Sequence, residues 1–399
     1  MSVPGRFAGL TEYAFPRLRK LLDSHRPGGV PIAMSIGEPQ HPFPPFVAEA
    51  LAQSLAGFGK YPPNEGAPEL LDAIRGWLAR RYDVSVVADR LMVLNGSREG
   101  LYNAAMALCP LTKNGQQPVI LMPNPFYQVY MVAALSVGAK PVFVPATAAT
   151  GHLPDYAALP PALLDRVALV YVCSPANPQG AVADEGYWRQ LIALAEKHDF
   201  RILADECYSE IWRDTPPTGI LAVDARMAAD PERVVAFHSL SKRSNLPGLR
   251  CGFVVGGAGA IAAMRQLRSY AGAPVALPLQ AVAAQVWADE DHVTENRALY
   301  QAKYRLADKI LGDVPGYVPP PAGFFLWLPV DDGESAALRL WQRTGVRALP
   351  GAYLAQDSGP AFGGGNPGQG YLRVAMVAAT QDVQRGLTLI RDCLYDQGD

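Results

Sequence analysis

The segment from Ser239 to Arg250 combines the residue types best suited to covalent chemistry. It reads Ser-Leu-Ser-Lys-Arg-Ser-Asn-Leu-Pro-Gly-Leu-Arg and follows an apolar run. A lone lysine is usually a solvated surface residue, but Lys242 lies here among hydroxyl groups and eight residues before a second cation. An amine in such surroundings can form a Schiff base with a carbonyl compound. Ser239, Ser241 and Arg250 could hold a phosphate group beside it.

Two further polar groups follow predicted strands. Asp205 comes directly after the apolar run 201–204, and Tyr208 lies three residues later. A carboxylate in this place can pair with a ring nitrogen of a ligand or cap a helix. Asn177 can donate to a ligand oxygen, although Asn-Pro also favours an ordinary turn, and the Asn177–Pro178 bond is a candidate cis peptide. Both strand ends therefore offer polar groups to a ligand.

Three more features concern anions and flat rings. Gly96, Ser97 and Arg98 join a predicted strand to a helix, whose first backbone N–H groups form an anion site. Tyr127 supplies a ring that can stack on a flat ligand or belong to the core. Arg373 stands inside an apolar strand, where a cation needs a partner. That partner is a substrate carboxylate or a structural Asp or Glu.

The elements that must position these residues follow from the pattern between about residues 90 and 260. Short β-rich apolar runs alternate there with amphipathic helices, predicted at Glu99–Leu108 and Tyr187–His198. We therefore predict an α/β fold with a seven-stranded, mostly parallel sheet that binds ligands at the carboxyl ends of its strands. The predicted strands are Leu91–Leu94, Pro118–Met122, Pro141–Val144, Ala168–Cys173, Arg201–Ala204, Val234–Phe237 and Gly252–Val255.

The two ends of the chain differ from the middle. The first 45 residues are rich in proline, whereas residues 291–399 mix helices with strands. We predict a large α/β domain over 46–290 and a smaller, discontinuous α+β domain built from 1–45 and 291–399. The glycine-rich stretch 359–370 is either a solvent loop or a lid over a site. The helices predicted in the smaller domain are Asn296–Leu311, Ser335–Thr344 and Asp382–Tyr395, and its strands are Gly323–Leu328 and Tyr371–Val377.

The composition favours small-molecule chemistry. The 399 residues include 35 basic and 37 acidic side chains, for a net charge of −2. Such a balance gives no electrostatic footprint for nucleic acid or an anionic membrane. Charged residues make up only 18% of the chain, against an average of ~25%. A covered surface, most simply a homo-oligomer interface, accounts for the difference.

Cysteines, histidines and the first residues bear on the cellular compartment and on metals. The five cysteines are widely spaced without a Cys-x-x-Cys pair, and the six histidines form no close pair. Neither a disulfide framework nor a metal site is expected, which fits a reducing cytoplasm. Residues 1–20 are interrupted by charges, so a secretory signal is not expected.

Taken together and in this order, the motifs resemble the fold-type I pyridoxal phosphate enzymes, specifically the class I/II aminotransferases of the aspartate aminotransferase type. The resemblance extends from Ser35-Ile-Gly-Glu-Pro through Lys60-Tyr-Pro-Pro-Asn-Glu-Gly to Arg373. It covers nearly the whole chain. It implies pyridoxal 5′-phosphate as cofactor.

The resemblance also implies roles for individual residues. Lys242 would form the Schiff base with the cofactor, and Asp205 would pair with its pyridine nitrogen. Tyr208 and Asn177 would donate to its phenolic oxygen, and Tyr127 would stack on its ring. The residues implied around its phosphate are Gly96, Ser97, Arg98, Ser239, Ser241 and Arg250.

Other implied contacts concern the substrate and a second subunit. Arg373 would bind the α-carboxylate of the substrate, and Gly37 would line the same pocket. Arg268 stands roughly where aspartate-type enzymes place an arginine for a distal carboxylate, with Arg243 and Arg98 as other candidates. Tyr61 would reach the phosphate of the neighbouring subunit, so that a homodimer shares its active sites.

Within the class, several motifs resemble bacterial N-succinyldiaminopimelate aminotransferases. The implied reaction exchanges an amino group between N-succinyl-LL-2,6-diaminopimelate and 2-oxoglutarate or glutamate in lysine biosynthesis, in ping-pong order. Aminotransferases of the aspartate, alanine or aromatic and kynurenine type, and a C–S β-lyase, are alternatives. A remote alternative is an NAD-dependent dehydrogenase, because Gly257-Ala-Gly-Ala-Ile-Ala follows a strand, although the acidic residue expected about 20 positions later is missing.

Overall fold

A seven-stranded sheet forms the centre of the molecule. The computed structural model describes residues 5–396. The strands lie in the order β2-β8-β7-β6-β5-β3-β4, and all pairs are parallel except those of β8 with β2 and β7. Every predicted strand of this sheet is confirmed, with ends within two residues of the expected ones. These strands are β2 (Leu91–Leu94), β3 (Val119–Asn124), β4 (Lys140–Pro145), β5 (Val167–Cys173), β6 (Arg201–Asp205), β7 (Val234–Ser239) and β8 (Gly252–Gly256).

Helices cover both faces of this sheet. One face packs under an apolar cluster that contains Trp77, Trp188 and Trp287, and the other under a cluster that contains Tyr130 and Phe237. Because both faces are buried, the central strands are continuous apolar runs, which made them visible in the sequence. The helices of this part are α2 (Val47–Ser54), α3 (Pro68–Tyr82), α4 (Ser97–Leu108), α5 (Gln128–Ser136), α6 (Pro161–Leu164), α7 (Glu185–His198), α8 (Ile220–Met227), α9 (Leu240–Arg243), α10 (Ala258–Arg268) and α11 (Leu277–Ala288).

A second apolar core is built from both ends of the chain. Ile32 and Met34 of the N-terminal segment pack there with Val374 and Leu387. The amide of Ala375 donates to the carbonyl of Met34 at 2.7 Å. The domain boundaries near 45 and 290 remain a prediction. The elements of this part are β1 (Ile32–Ala33), β9 (Phe325–Pro329), β10 (Val346–Arg347), β11 (Leu349–Pro350), β12 (Tyr371–Ala375), α1 (Ala14–Leu22), α12 (Asp291–Leu311), α13 (Gly333–Thr344) and α14 (Thr380–Leu394).

The segment that leads into the glycine-rich loop is fixed to the end of β3. The buried Asn124 donates from Nδ2 to the carbonyl of Gln356 at 2.9 Å and accepts from its amide at 3.1 Å. The Asp357 carboxylate accepts from the amides of Gly359 and Gly365 at 2.7 and 3.1 Å. The loop therefore has a fixed base, and Phe362 packs against the core of the large sheet.

No helix within residues 5–396 is both long and apolar enough to cross a membrane.

Candidate active site

The carboxyl ends of the parallel strands open into a cavity of about 400 Å³ between the two cores. A cavity of this size suits a small-molecule ligand. It lies where the sequence predicted the site. The predicted residues that line it are Gly37, Ser97, Arg98, Tyr127, Asn177, Asp205, Tyr208, Ser239, Ser241, Lys242, Arg250 and Arg373.

Lys242 lies just beyond β7, on the short helix α9. Its Nζ donates to the carbonyl of Gly37 at 2.5 Å and lies 5.4 Å from the ring centre of Phe324. Burial and, to a smaller extent, the Arg373 guanidinium lower the pKa of Lys242 to about 8. An amine with this pKa can exchange a proton near neutral pH.

Asp205 ends β6 and is buried. The Tyr130 hydroxyl donates to its Oδ2 at 2.8 Å, and the amide of Cys207 donates to Oδ1 at 3.4 Å. Burial raises the pKa of this carboxyl group, while the hydrogen bonds from Cys207 and Tyr130 oppose the rise. A carboxylate held in this way can accept a hydrogen bond from a protonated ring nitrogen.

The turn between β2 and α4 forms an anion cradle. Gly96 has a φ of 82°, and a Cβ at this position would lie 2.1 Å from Nη2 of Arg250. Glycine is therefore needed both for the backbone conformation and for the approach of this cation. The Ser239 hydroxyl accepts from the Ser241 amide at 3.1 Å and donates to its hydroxyl at 2.9 Å. With the first amides of α4, these groups suit a phosphate.

Arg98 interacts with the ring predicted to stack on the cofactor. Its Nε donates to the Tyr127 hydroxyl, and that hydroxyl is the main cause of the raised pKa of Arg98. Arg98, Arg373 and Tyr13 line the same cavity. Arg98 is exposed whereas Arg373 is buried.

Arg373 is a buried cation without an acidic partner among residues 5–396. Its Nη1 donates to Oδ1 of Asn177 at 3.0 Å, and its Nη2 donates to the carbonyl of Ser35 at 2.7 Å. Its Nε has no hydrogen-bond partner in the described structure. Burial lowers the pKa of Arg373 to about 10. A buried guanidinium with a donor to spare is suited to an anionic ligand.

Besides Gly96, whose turn is described above, two predicted site residues are not among those that line this cavity. Arg268 is only 2% exposed, and its Nε is 3.5 Å from Oε1 of Glu99. It also donates to the carbonyl of Val93. The structure does not support the expectation that Arg268 contacts a distal carboxylate of the substrate, because its guanidinium pairs with Glu99 inside the fold. Tyr61 is fully exposed at 101%, and its contact with a second subunit remains a prediction.

Some groups of the site were not singled out from the sequence. Tyr130 lies one helical turn after Tyr127, a spacing that could have indicated its position. Cys207 lines the cavity and donates from Sγ to the Ser97 hydroxyl at 3.1 Å. Other lining residues carry no local signal, because they come from distant segments: Tyr13, Phe15, Ile36, Phe325 and Leu354.

The dinucleotide-like motif serves another purpose. Gly257 precedes α10, and the amides of Gly259 and Ala260 donate to the carboxylate of Glu232 at 2.7 and 2.9 Å. The helix N-terminus that would bind a pyrophosphate is thus occupied by a side chain of the protein. This helix therefore gives no support to the alternative that the protein is an NAD-dependent dehydrogenase.

A family model described as Aminotransferase class I and II matches residues 30–388. The chain belongs to this family. Its members use pyridoxal 5′-phosphate, and the cavity of this aminotransferase fits that group. The anion cradle suits a phosphate, the Lys242 amine suits a carbonyl carbon, and the Asp205 carboxylate suits a ring nitrogen. These assignments of individual residues remain predictions.

Relatives with known names or structures resemble this aminotransferase along nearly their whole length. LL-diaminopimelate aminotransferase of Dehalococcoides mccartyi is 31% identical, with 97% of both chains covered. The structure of an aminotransferase from Neisseria meningitidis is 38% identical with a TM-score of 0.92, covering 98% of this chain and 99% of that chain. A probable N-succinyldiaminopimelate aminotransferase from Thermus thermophilus is 26% identical with a TM-score of 0.83, covering 96% and 100% respectively.

Replacing Tyr130 by Phe should lower kcat/KM about tenfold, since a hydrogen bond to a charged group contributes about 1.5–3 kcal/mol. Loss of this donor raises the pKa of Asp205 further. If the ionised carboxylate is the active form, the acid limb of the kcat/KM profile moves to higher pH. Tyr171→Phe is the matched control, because Tyr171 stacks on Tyr130 but donates to the carbonyl of Leu101. Equal profiles for both variants would contradict the role of Tyr130.

Proposed function

We propose that this aminotransferase exchanges an amino group between N-succinyl-LL-2,6-diaminopimelate and 2-oxoglutarate. The observation that carries the proposal is the charge distribution of the cavity. Arg373 and Arg98 both line it, whereas Asp205 is the only carboxylate among the described lining residues. Such a cavity favours a substrate with two or more carboxylates and no free ammonium group at its far end.

Arg373 would bind the α-carboxylate. Its unpaired Nε and its lack of an acidic partner within residues 5–396 leave a buried positive charge for the substrate to neutralise. Asn177 and the carbonyl of Ser35 fix the plane of the guanidinium. A planar group held in this way can form two parallel hydrogen bonds with a carboxylate.

Arg98 would contact the distal carboxylate in place of Arg268, whose guanidinium pairs with Glu99 inside the fold. The side chain of Arg98 is exposed, and within residues 5–396 its hydrogen bond is to Tyr127. Apolar side chains around the opening would contact the carbon chain of the substrate. These are Tyr13, Ala14, Phe15, Ile36, Phe126, Phe325 and Leu354.

The distal nitrogen distinguishes two candidate substrates. Free diaminopimelate, named in the relatives at about 30% identity, carries an ammonium group there. In the described lining no carboxylate is placed to meet that charge. Succinylation replaces the ammonium with a neutral amide and adds a carboxylate, which suits the cation at the opening. LL-diaminopimelate is the second candidate, supported by these relatives.

The mechanism assigns a separate task to each polar group. When bound, the cofactor supplies an electron sink for the pair of electrons left at the substrate Cα. Lys242 would take the proton from that Cα with its Nζ and would pass it to the C4′ carbon of the cofactor, as its pKa of about 8 allows. Asp205 would accept a hydrogen bond from the protonated ring nitrogen, and Tyr208 and Asn177 would donate to the phenolic oxygen. One cavity would serve both half-reactions.

We further propose a cytoplasmic homodimer that shares its active sites. Tyr61 is fully exposed in the single chain, although an aromatic ring gains stability from burial. Among the described residues no disulfide joins the cysteines, which are Cys109, Cys173, Cys207, Cys251 and Cys393. Cysteines without disulfides fit a reducing compartment.

The substrate assignment predicts a preference measurable in steady-state kinetics. With 2-oxoglutarate as acceptor, kcat/KM for N-succinyl-LL-2,6-diaminopimelate should exceed that for LL-2,6-diaminopimelate at least tenfold. The reason is that an unpaired charged group costs more than about 1–3 kcal/mol on burial. An equal or higher value for the free compound would favour the second candidate.

A panel of aspartate, alanine and aromatic donors, with assays for pyruvate and ammonia, tests the remaining alternatives.

Lys242→Ala should abolish amino transfer and covalent attachment of the cofactor. Borohydride should fix pyridoxal phosphate to wild-type protein, detected as a mass increase on the peptide that contains Lys242, and should fix none to the variant. Lys309→Ala, a change at an exposed lysine, is the control and should behave as wild type. Attachment to another lysine in the wild-type protein would contradict the assignment.

Arg98→Gln should reduce kcat/KM for dicarboxylic substrates by about tenfold or more, because it removes a charge-assisted hydrogen bond of about 1.5–3 kcal/mol. The value for alanine, which has no distal carboxylate, should change by less than about threefold. The ratio of the two is the measurement, with Arg19→Gln at an exposed position as control. An equal loss for both substrates would show that Arg98 acts on the cofactor or on Tyr127 instead.

A further inference from the structure

A buried lysine lies where three segments of the site meet. Lys303, in the middle of α12, is 0% exposed. Its Nζ donates to the carbonyls of Met376 at 3.0 Å and Ala378 at 2.5 Å. It also lies 2.6 Å from Nε2 of His41. Within residues 5–396 no carboxylate pairs with this ammonium group, so neutral acceptors alone stabilise its charge.

The hydrogen bonds that start at Lys303 have a defined direction. An ammonium group only donates, so Nε2 of His41 accepts and Nδ1 carries the ring proton. Nδ1 donates to Oδ1 of Asn296 at 2.8 Å, and that oxygen also accepts from Nδ2 of Asn245 at 3.1 Å. Nδ2 of Asn296 donates to the carbonyl of Arg243 at 3.5 Å. Burial lowers the pKa of His41, which favours the neutral ring that this order requires.

Each segment in this chain of hydrogen bonds carries a group of the active site. The segment of His41 also contains Gly37, whose carbonyl accepts from Lys242. Met376 lies three residues after Arg373, directly beyond β12. At its far end the chain of hydrogen bonds reaches the residue that follows Lys242. One ammonium group thus connects the N-terminal segment, the end of β12 and the loop after β7.

We propose that Lys303 is a positioning residue that fixes Lys242 and Arg373 relative to each other. Its three hydrogen bonds hold the N-terminal segment and the residues after β12 in one arrangement. The proposal rests on the proposed function in one respect, because it takes Arg373 as the group that binds a substrate carboxylate.

A contribution to stability does not explain this arrangement. A buried charge without an opposite charge is unfavourable, and its removal offsets the loss of the hydrogen bonds that it donates. The Nζ of Lys303 also lies 5.2 Å from the centre of the Tyr300 ring. The thioether end of a methionine can contact that ring as well. What methionine cannot provide is the set of three donated hydrogen bonds.

Lys303→Met in the holoenzyme tests the proposal. We expect KM for the preferred amino donor to rise about tenfold, because a site loosened by about 1 Å binds poorly. The dissociation constant of glutarate, a dicarboxylate without an amino group, should rise by a similar factor in calorimetry. The midpoint of thermal unfolding should not fall. A lysine that only stabilised the fold would not give weaker glutarate binding together with unchanged thermal stability.

Two further variants complete the test. Tyr300→Phe is the matched control, because the Tyr300 hydroxyl has no partner in the described structure while its ring packs on His41 at 4.5 Å. It should bind glutarate as wild type does. His41→Leu breaks the next link and should weaken glutarate binding as Lys303→Met does, with no additive effect in the double variant. It provides the same test if Lys303→Met does not fold.

Wild-type affinity for glutarate in both Lys303→Met and His41→Leu would overturn the proposal, as would an equal loss in Tyr300→Phe. Failure of the substrate assignment gives a different result. In that case the wild-type enzyme transfers amino groups from other donors but not from diaminopimelate compounds, and the effect of Lys303 on glutarate binding is still measurable.

Discussion

The burial of two cations in one cavity is the constraint on which the rest of this structure depends. Arg373 is buried and Lys242 is partly buried, burial lowers the pKa of both, and the Arg373 guanidinium disfavours the charged form of Lys242. The acceptors that stabilise them are the carbonyls of Gly37 and Ser35. Both carbonyls come from one extended segment near the N-terminus. That segment must therefore pack between the two cores, and the second core must be built from both ends of the chain.

The same burial acts on the two titratable groups in opposite directions. It lowers the pKa of Lys242 and raises that of Asp205, because it disfavours the charged form of each. Hydrogen bonds from Tyr130 and Cys207 then favour the ionised carboxylate. Two titratable groups with different surroundings can in this way take different parts in one reaction.

Much of the fold and of the site could be predicted from the sequence, because the information is local. The central strands are buried on both faces and read as apolar runs, and the polar residues that follow them, such as Asp205 and Asn177, must meet at one edge of the sheet. Contacts between distant segments leave no such pattern. The ion pair of Arg268 with Glu99, the orientation of Arg98 towards Tyr127 and the hydrogen bonds of Lys303 depend on packing, and no spacing in the sequence indicated them.

The order of the elements along the chain determines when each part of the enzyme can fold during synthesis. During synthesis the large sheet, with Lys242 and Asp205, can form before the ribosome has made β12, because domains generally fold as units from the N-terminus. Until Arg373 and the segment after it emerge, the N-terminal residues that will contact them have no completed core on which to pack. A nascent or truncated chain would therefore have the groups proposed to hold the cofactor but not those proposed to bind the substrate. We expect competence for amino transfer only once the end of β12 packs against the N-terminal segment, as in the hydrogen bond from Ala375 to Met34.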